Sequence, residues 1–210
     1  MIVLNNISVS FDEKTVLENF NATFEDEKKY AIMGQSGIGK TTILNVIAGL
    51  VKARTGTVKN TSGNKIAYIF QEPRLYDWMD VTENVSIVSP LPKKQAEEKA
   101  KEILSALGLG DSLKSLPREL SGGMKQRVSI ARAIAYEPDV LLLDEPFKAL
   151  DEEMKKSVAE YLFSAMKGKT VIMVTHDVTD TVYTDFTAHI SSTPVSSIDM
   201  VKSDTQQLNK

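Results

Sequence analysis

At 210 residues, with 42% hydrophobic and 25% charged content, the chain can bury a sizeable core and fits one α/β unit with a small insertion. A formal net charge of -3 argues against a nucleic-acid partner, and the absence of cysteine excludes a disulfide framework and a thiolate metal site. No run approaches the roughly 18 to 20 consecutive apolar residues of a membrane helix, and the opening MIVLNNIS lacks the basic flank of a signal peptide, so a soluble chain is expected.

Residues Ile2 to Phe24 read as β-rich, and Lys28 to Met33 (KKYAIM) as a short strand. Directly after it, Gly34 to Thr41 (GQSGIGKT) fits G-x-x-x-x-G-K-[ST]. In that pattern the backbone N–H groups of a glycine turn and of the following helix cradle phosphates. Thr42 to Leu50 carries apolar residues at helical spacing, which supplies the strand–loop–helix setting the pattern requires. The phosphate-binding candidates are Gly34, Gln35, Ser36, Gly37, Ile38, Gly39, Lys40, Thr41 and Thr42. Lys40 is expected to reach the β- and γ-phosphates, and Thr41 to offer its hydroxyl to Mg²⁺.

Thr57 to Val58 and Ile66 to Phe70 read as strands, the second ending at Gln71. From Tyr76 the pattern turns helical. Lys93 to Gly108 has a solvated charged face, apolar Ile103, Leu104 and Leu107 near its end, and Gly108 as a stop signal. After LSGGMKQR at Leu120 to Arg127, a helix continues to Tyr136 and ends before Pro138. Val140 to Leu143 is wholly apolar between Pro138 and Pro146, as suits a strand buried on both faces of a parallel sheet. It delivers Asp144 and Glu145 to one strand end, where Asp144 is placed to hold Mg²⁺ and Glu145 to orient or deprotonate an attacking water. Val171 to Val174 reads as another buried strand, followed by His176. There is no internal repeat and no low-complexity linker.

These segments, in this order, resemble those of the ATP-binding cassette family, from about Met1 to about Ile190. Gly34 to Thr41 looks like its Walker A loop, Gln71 like its Q-loop glutamine, and Leu120 to Arg127 like its signature. Val140 to Glu145 looks like its Walker B strand, Leu150 and Asp151 like its D-loop, and His176 like its switch histidine. Phe11 sits where the family places the aromatic that stacks on adenine. The resemblance implies a P-loop NTPase (RecA-like) α/β core with an N-terminal antiparallel β subdomain and an inserted helical subdomain. The expected division is a core at 1–75 and 137–190, a helical subdomain at 76–136 and a short polar tail at 191–210.

It also implies an ATPase using ATP and Mg²⁺, with Glu145, His176 and Gln71 as catalytic residues and Thr41, Gln71 and Asp144 at the metal. Ser121 and Gly123 are expected to touch the γ-phosphate of a second copy's ATP in a head-to-tail homodimer, and Gly122 and Asp151 to be among the nucleotide-binding residues.

Gln71 to Val85 (QEPRLYDWMDVTENV) looks like the corresponding segment of importers for nitrate, sulfonate, taurine and related small compounds. In that reading Leu75, Tyr76, Trp78 and Met79 form an exposed apolar patch that receives one of two permease subunits, an extracytoplasmic solute-binding protein completes the system, and the chain is cytoplasmic and peripheral on the inner face of the membrane. An exporter or lipoprotein-release ATPase, or a non-hydrolysing structural subunit, are the alternatives. Two departures from the family pattern stand out: Lys148 where a Ser usually opens the D-loop, and Asp180 and Thr181 in place of Glu-Ala after the switch histidine.

Overall fold

The computed structural model describes residues 1–60 and 64–203, which form two compact units. The first comprises Met1–Ile66, Asp139–Glu145 and the chain from Gly168 onward. It opens with two long strands, β1 (Ile2–Phe11) and β2 (Lys14–Phe24), paired antiparallel. Alternation along them turns Ile2, Leu4, Ile7, Val9, Leu17, Phe20 and Phe24 into the core, as a half-buried sheet requires. β4 (Thr55–Asn60) flanks β1 antiparallel.

The second sheet of this unit is parallel at its centre. β3 (Lys29–Gly34) lies between β7 (Thr170–Thr175) and β8 (Phe186–Ile190), and β7 pairs in turn with β6 (Val140–Asp144). All residues of β6 and β7 are buried, which is why their sequences are continuous apolar runs with polar groups only at the ends. Helix α1 (Lys40–Ile47) packs on β3, β6 and β7 through Ile43, Leu44, Val46 and Ile47. β5 (Ile66–Ile69) carries the chain into the second unit.

That unit holds Ala67–Pro138 and Pro146–Lys167. It contains α2 (Val81–Ser86), α3 (Lys93–Ala106), α4 (Gly122–Ala135) and α5 (Glu152–Ala165), with α4 in contact with each of the others. The helical part is therefore larger than the 76–136 expected. Residues 67–75 and α5 group with it, because α5 turns Val158, Ala159 and Leu162 inward and packs on α4.

The tail also departs from expectation. β9 (Val195–Ser197) joins the first sheet parallel to β2, and β10 (Val201–Lys202) joins the second antiparallel to β8. One apolar side chain, Val195, is enough to seat β9, because its partner β2 already offers a backbone edge and a buried Leu17 in register. The rest of the predicted tail, 204–210, lies outside the described residues.

Within the second unit a buried asparagine shapes the loop 76–80. The Asn84 side-chain amide donates to the carbonyls of Tyr76, Met79 and Asp80 at 3.0 to 3.1 Å and accepts from the Tyr76 N–H at 2.8 Å. Asn84→Ala is expected to destabilise the protein by about 1–3 kcal/mol, the cost of leaving such groups unpaired, read as a lower urea midpoint at unchanged m-value.

Candidate functional site

In the first unit the buried strand β3 ends at Gly34 and the chain curls through Gln35, Ser36, Gly37, Ile38 and Gly39 into α1. Gln35, Ser36 and Gly37 are exposed, Ile38 and Gly39 are buried, and Thr42 is half-buried behind the loop. Gly39, at the N-cap, has φ +117°, and a Cβ there would stand 2.8 Å from Cγ1 of Val16, so glycine is required on two counts. It gives α1 no side-chain cap, so the first N–H groups of the helix keep their affinity for an anion. Nothing lies within 4 Å of where a Cβ on Gly37 would point, which leaves the concave side of the loop open.

Lys40 is buried, and its Nζ donates to the carbonyls of Gly34 (2.7 Å) and Gln35 (2.9 Å). The loop's own backbone thus preorganises the ammonium. Burial pushes its pKa down, and the nearby carboxylates of Glu145 and Asp144 pull it back up. A poorly hydrated ammonium beside uncapped helix N–H groups is a strong phosphate site.

The end of β6 brings carboxylates to the same place. Oγ1 of Thr41 donates to Oδ1 of the buried Asp144 at 3.1 Å. Glu145 follows with φ +45°, a conformation uncommon outside glycine, held by its N–H donating to the Val174 carbonyl at 2.9 Å. Its Oε1 lies 3.3 Å from Nδ1 of His176, which stands just past the end of β7 and is more than half exposed. Neighbouring parallel strands therefore bring Lys40, Thr41, Asp144, Glu145 and His176 together. Phe11 belongs to the same unit, at the end of β1 in register with Lys14, with 48% of its surface exposed.

The remaining sequence-predicted residues belong to the second unit. Gln71 is exposed just after β5. Ser121 is the N-cap of α4, its Oγ accepting from the Met124 N–H at 3.2 Å, which still leaves the hydroxyl proton to donate. Gly122 and Gly123 open that helix, and a Cβ on Gly123 would stand 2.9 Å from the Ala149 carbonyl, so the signature helix and the D-loop lie in close contact. Asp151 caps α5, accepting from the Met154 N–H at 2.9 Å, a structural duty that its DEEM context signals. Arg127 was not singled out from the sequence. Its guanidinium donates to the carbonyls of Leu107, Gly108 and Gly123, tying α3's end to the start of α4, and burial lowers its pKa against the pull of Asp151.

In the loop shaped by Asn84, Trp78 is 74% exposed and Tyr76 stacks at a tilt against it, 5.4 Å between ring centres. Leu75 and Met79 are half-buried rather than exposed. Met79 instead lines a cavity of about 380 Å³ with Ile87, Leu91 and Ala96, rimmed by Glu83, Glu97 and Lys93.

The family model described as ABC transporter matches residues 17–148, from β2 through the phosphate loop and the signature to the end of β6 and beyond. The chain belongs to the ABC transporter family. It is 41% identical over 179 residues to an aliphatic sulfonates import ATP-binding protein SsuB of Bacillus subtilis, covering 81% of this chain and 70% of that relative. It is 40% identical over 184 residues to the bicarbonate transport ATP-binding protein CmpD of a Synechocystis, covering 80% of this chain and 64% of that one. A dimeric structure of a bacterial ABC transporter cassette superposes with a TM-score of 0.86 at 27% identity, covering 97% of this chain and 99% of that one. The same cassette is also known in a post-hydrolysis state bound to ADP and Pi, with a TM-score of 0.85. The cassette described here is accordingly an ATP-binding ATPase with the P-loop NTPase fold. Among its described residues no helix is long and apolar enough to cross a membrane.

Lys40→Ala is expected to weaken ATP binding roughly ten- to a hundredfold, the worth of a charged hydrogen-bonding group at a phosphate, in isothermal titration calorimetry.

Proposed function

We propose that this chain powers an importer of a small organic or inorganic anion, of the nitrate, sulfonate, taurine and bicarbonate kind. It works as a homodimer docked on two permease subunits at the inner face of the membrane, with an extracytoplasmic solute-binding protein delivering the cargo. The observation that carries the reading is the convergence of Lys40, Thr41, Asp144, Glu145 and His176 at the ends of neighbouring strands in a chain whose relatives are importer ATPases. An exporter is not favoured by those relatives.

The donor set suits Mg²⁺. A hydroxyl and a carboxylate oxygen already in hydrogen-bonding contact are hard ligands of the kind Mg²⁺ takes. Magnesium characteristically takes one or two such protein ligands and completes its shell with water and substrate phosphate. Thr41 and Asp144 would hold it, and it would neutralise charge on the β- and γ-phosphates.

The roles proposed for this chain's own residues draw support from their placement. Lys40 and the uncapped N–H groups of α1 bind and orient the phosphates. Phe11 stacks on the adenine from an exposed position. Glu145, held in a strained backbone beside the phosphate loop, accepts a proton from the attacking water or orients it. His176, beside Glu145, holds the γ-phosphate through a ring N–H. Ser121, Gly122 and Gly123 offer a hydroxyl and helix N-terminal N–H groups to the γ-phosphate of the other protomer's ATP, so a lone protomer should hydrolyse poorly. Trp78 and Tyr76, with the adjoining apolar cavity, form the permease-facing patch.

Glu145→Gln keeps the size and hydrogen-bonding reach of the side chain but removes the base. Size-exclusion chromatography with ATP and Mg²⁺ should show this variant as a dimer, while its turnover falls by at least about a hundredfold relative to the unmodified chain. Monomers under all conditions with undiminished turnover would assign the chemistry to other residues.

A further inference from the structure

The buried carboxylate of Asp180 has no part in the roles assigned so far. It is 3% exposed, and it accepts a short hydrogen bond from the hydroxyl of Thr175, itself 2% exposed at the end of β7. The same hydroxyl oxygen accepts from the Asp177 N–H at 3.0 Å. The Thr175 side chain therefore bridges the two sides of the residue between Thr175 and Asp177, which is His176. Around this bridge the turn is closed twice more. Thr179 donates to Oδ1 of Asp177 from its N–H and its hydroxyl, each at 2.8 Å, and the Asp180 N–H donates to the Asp177 carbonyl. On the strand side, Thr175 is in register with Met33 of β3, and the Val174 carbonyl receives the Glu145 N–H. His176 turns its side chain toward Glu145.

A hydroxyl shared between a donor and an acceptor has its rotamer and its proton direction settled. Removing the carboxylate would release the Thr175 hydroxyl to turn, and with it the Asp177 amide that sets the exit of the chain from His176. We propose that Asp180 is a positioning residue for His176, acting through Thr175 and the Asp177 amide to hold the imidazole against Glu145 and the γ-phosphate. This rests on the reading of His176 as a γ-phosphate contact. Asp180 lies within the short 3-10 helix Val178–Tyr183, which returns its carboxylate to the Thr175 hydroxyl at the strand end.

The test is a set of variants of the full chain: Asp180→Ala, His176→Ala, the double variant, and Thr175→Val beside Thr175→Ser. Steady-state turnover is measured with ATP and Mg²⁺, and ATP affinity by calorimetry. Asp180→Ala should lower kcat roughly ten- to a hundredfold, the order expected for a displaced catalytic group, with ATP affinity within about twofold of the unmodified chain. The double variant should be no slower than His176→Ala, because a residue that acts through another adds nothing once that other is gone. Thr175→Val should reproduce the loss and Thr175→Ser recover most of it, which keeps the question open to experiment even if Asp180→Ala does not fold. Losses that multiply in the double variant, or a fall in ATP affinity parallel to kcat, would make Asp180 merely structural and overturn the inference. If His176→Ala itself turns over normally, the phosphate role of His176 fails and the positioning role with it.

Discussion

The parallel register of β3, β7 and β6 is the constraint from which the chemistry of the first unit follows. Strands buried on both faces can carry polar side chains only where they leave the sheet, and parallel strands all leave on the same side. Gly34, Thr175 and Asp144 therefore end at one edge, and the residues after them, the phosphate loop, His176 and Glu145, cannot help meeting. Were β6 to slip by a single residue, Asp144 would turn to the opposite face of the sheet and the Thr41 hydroxyl would lose its acceptor.

Two different strategies hold the polar groups at that edge. Lys40 is held by backbone carbonyls, with the carboxylates of Glu145 and Asp144 standing nearby. Glu145 and His176 are held by backbone strain and by a closed turn, both of which fix direction more than they stabilise the fold. Sites that must present charge in a dry, fixed arrangement gain their advantage from this kind of preorganisation.

Much of this could be read from the residue string, and the reason is local. A phosphate loop needs its glycines and lysine within eight positions, and a buried strand that ends in Asp-Glu advertises itself by an unbroken apolar run. What the string concealed depends on distant partners. β9 shows a single buried valine, so its place beside β2 is dictated by an edge laid down some 170 residues earlier. Residues 146–167 carry ordinary helical spacing that says nothing of which unit they join; contact with α4 decides it. The patch at 75–79 was legible as apolar, but which side chains turn outward was set by Asn84, whose fourfold bonding to backbone leaves no trace in composition.

The return of the chain to the phosphate loop bears on how the protein is made. The Thr193 hydroxyl donates to the Ile38 carbonyl across 155 positions of sequence, and a Cβ on Gly39 would stand 3.6 Å from Cγ2 of Val195 and 2.8 Å from Cγ1 of Val16. During synthesis the loop is made 155 positions before Thr193, so this bracing contact is missing while the intervening chain is produced. The phosphate loop is thus braced by residues made only after the helical insertion has been produced, so its final support is a product of the order of the chain as well as of its fold.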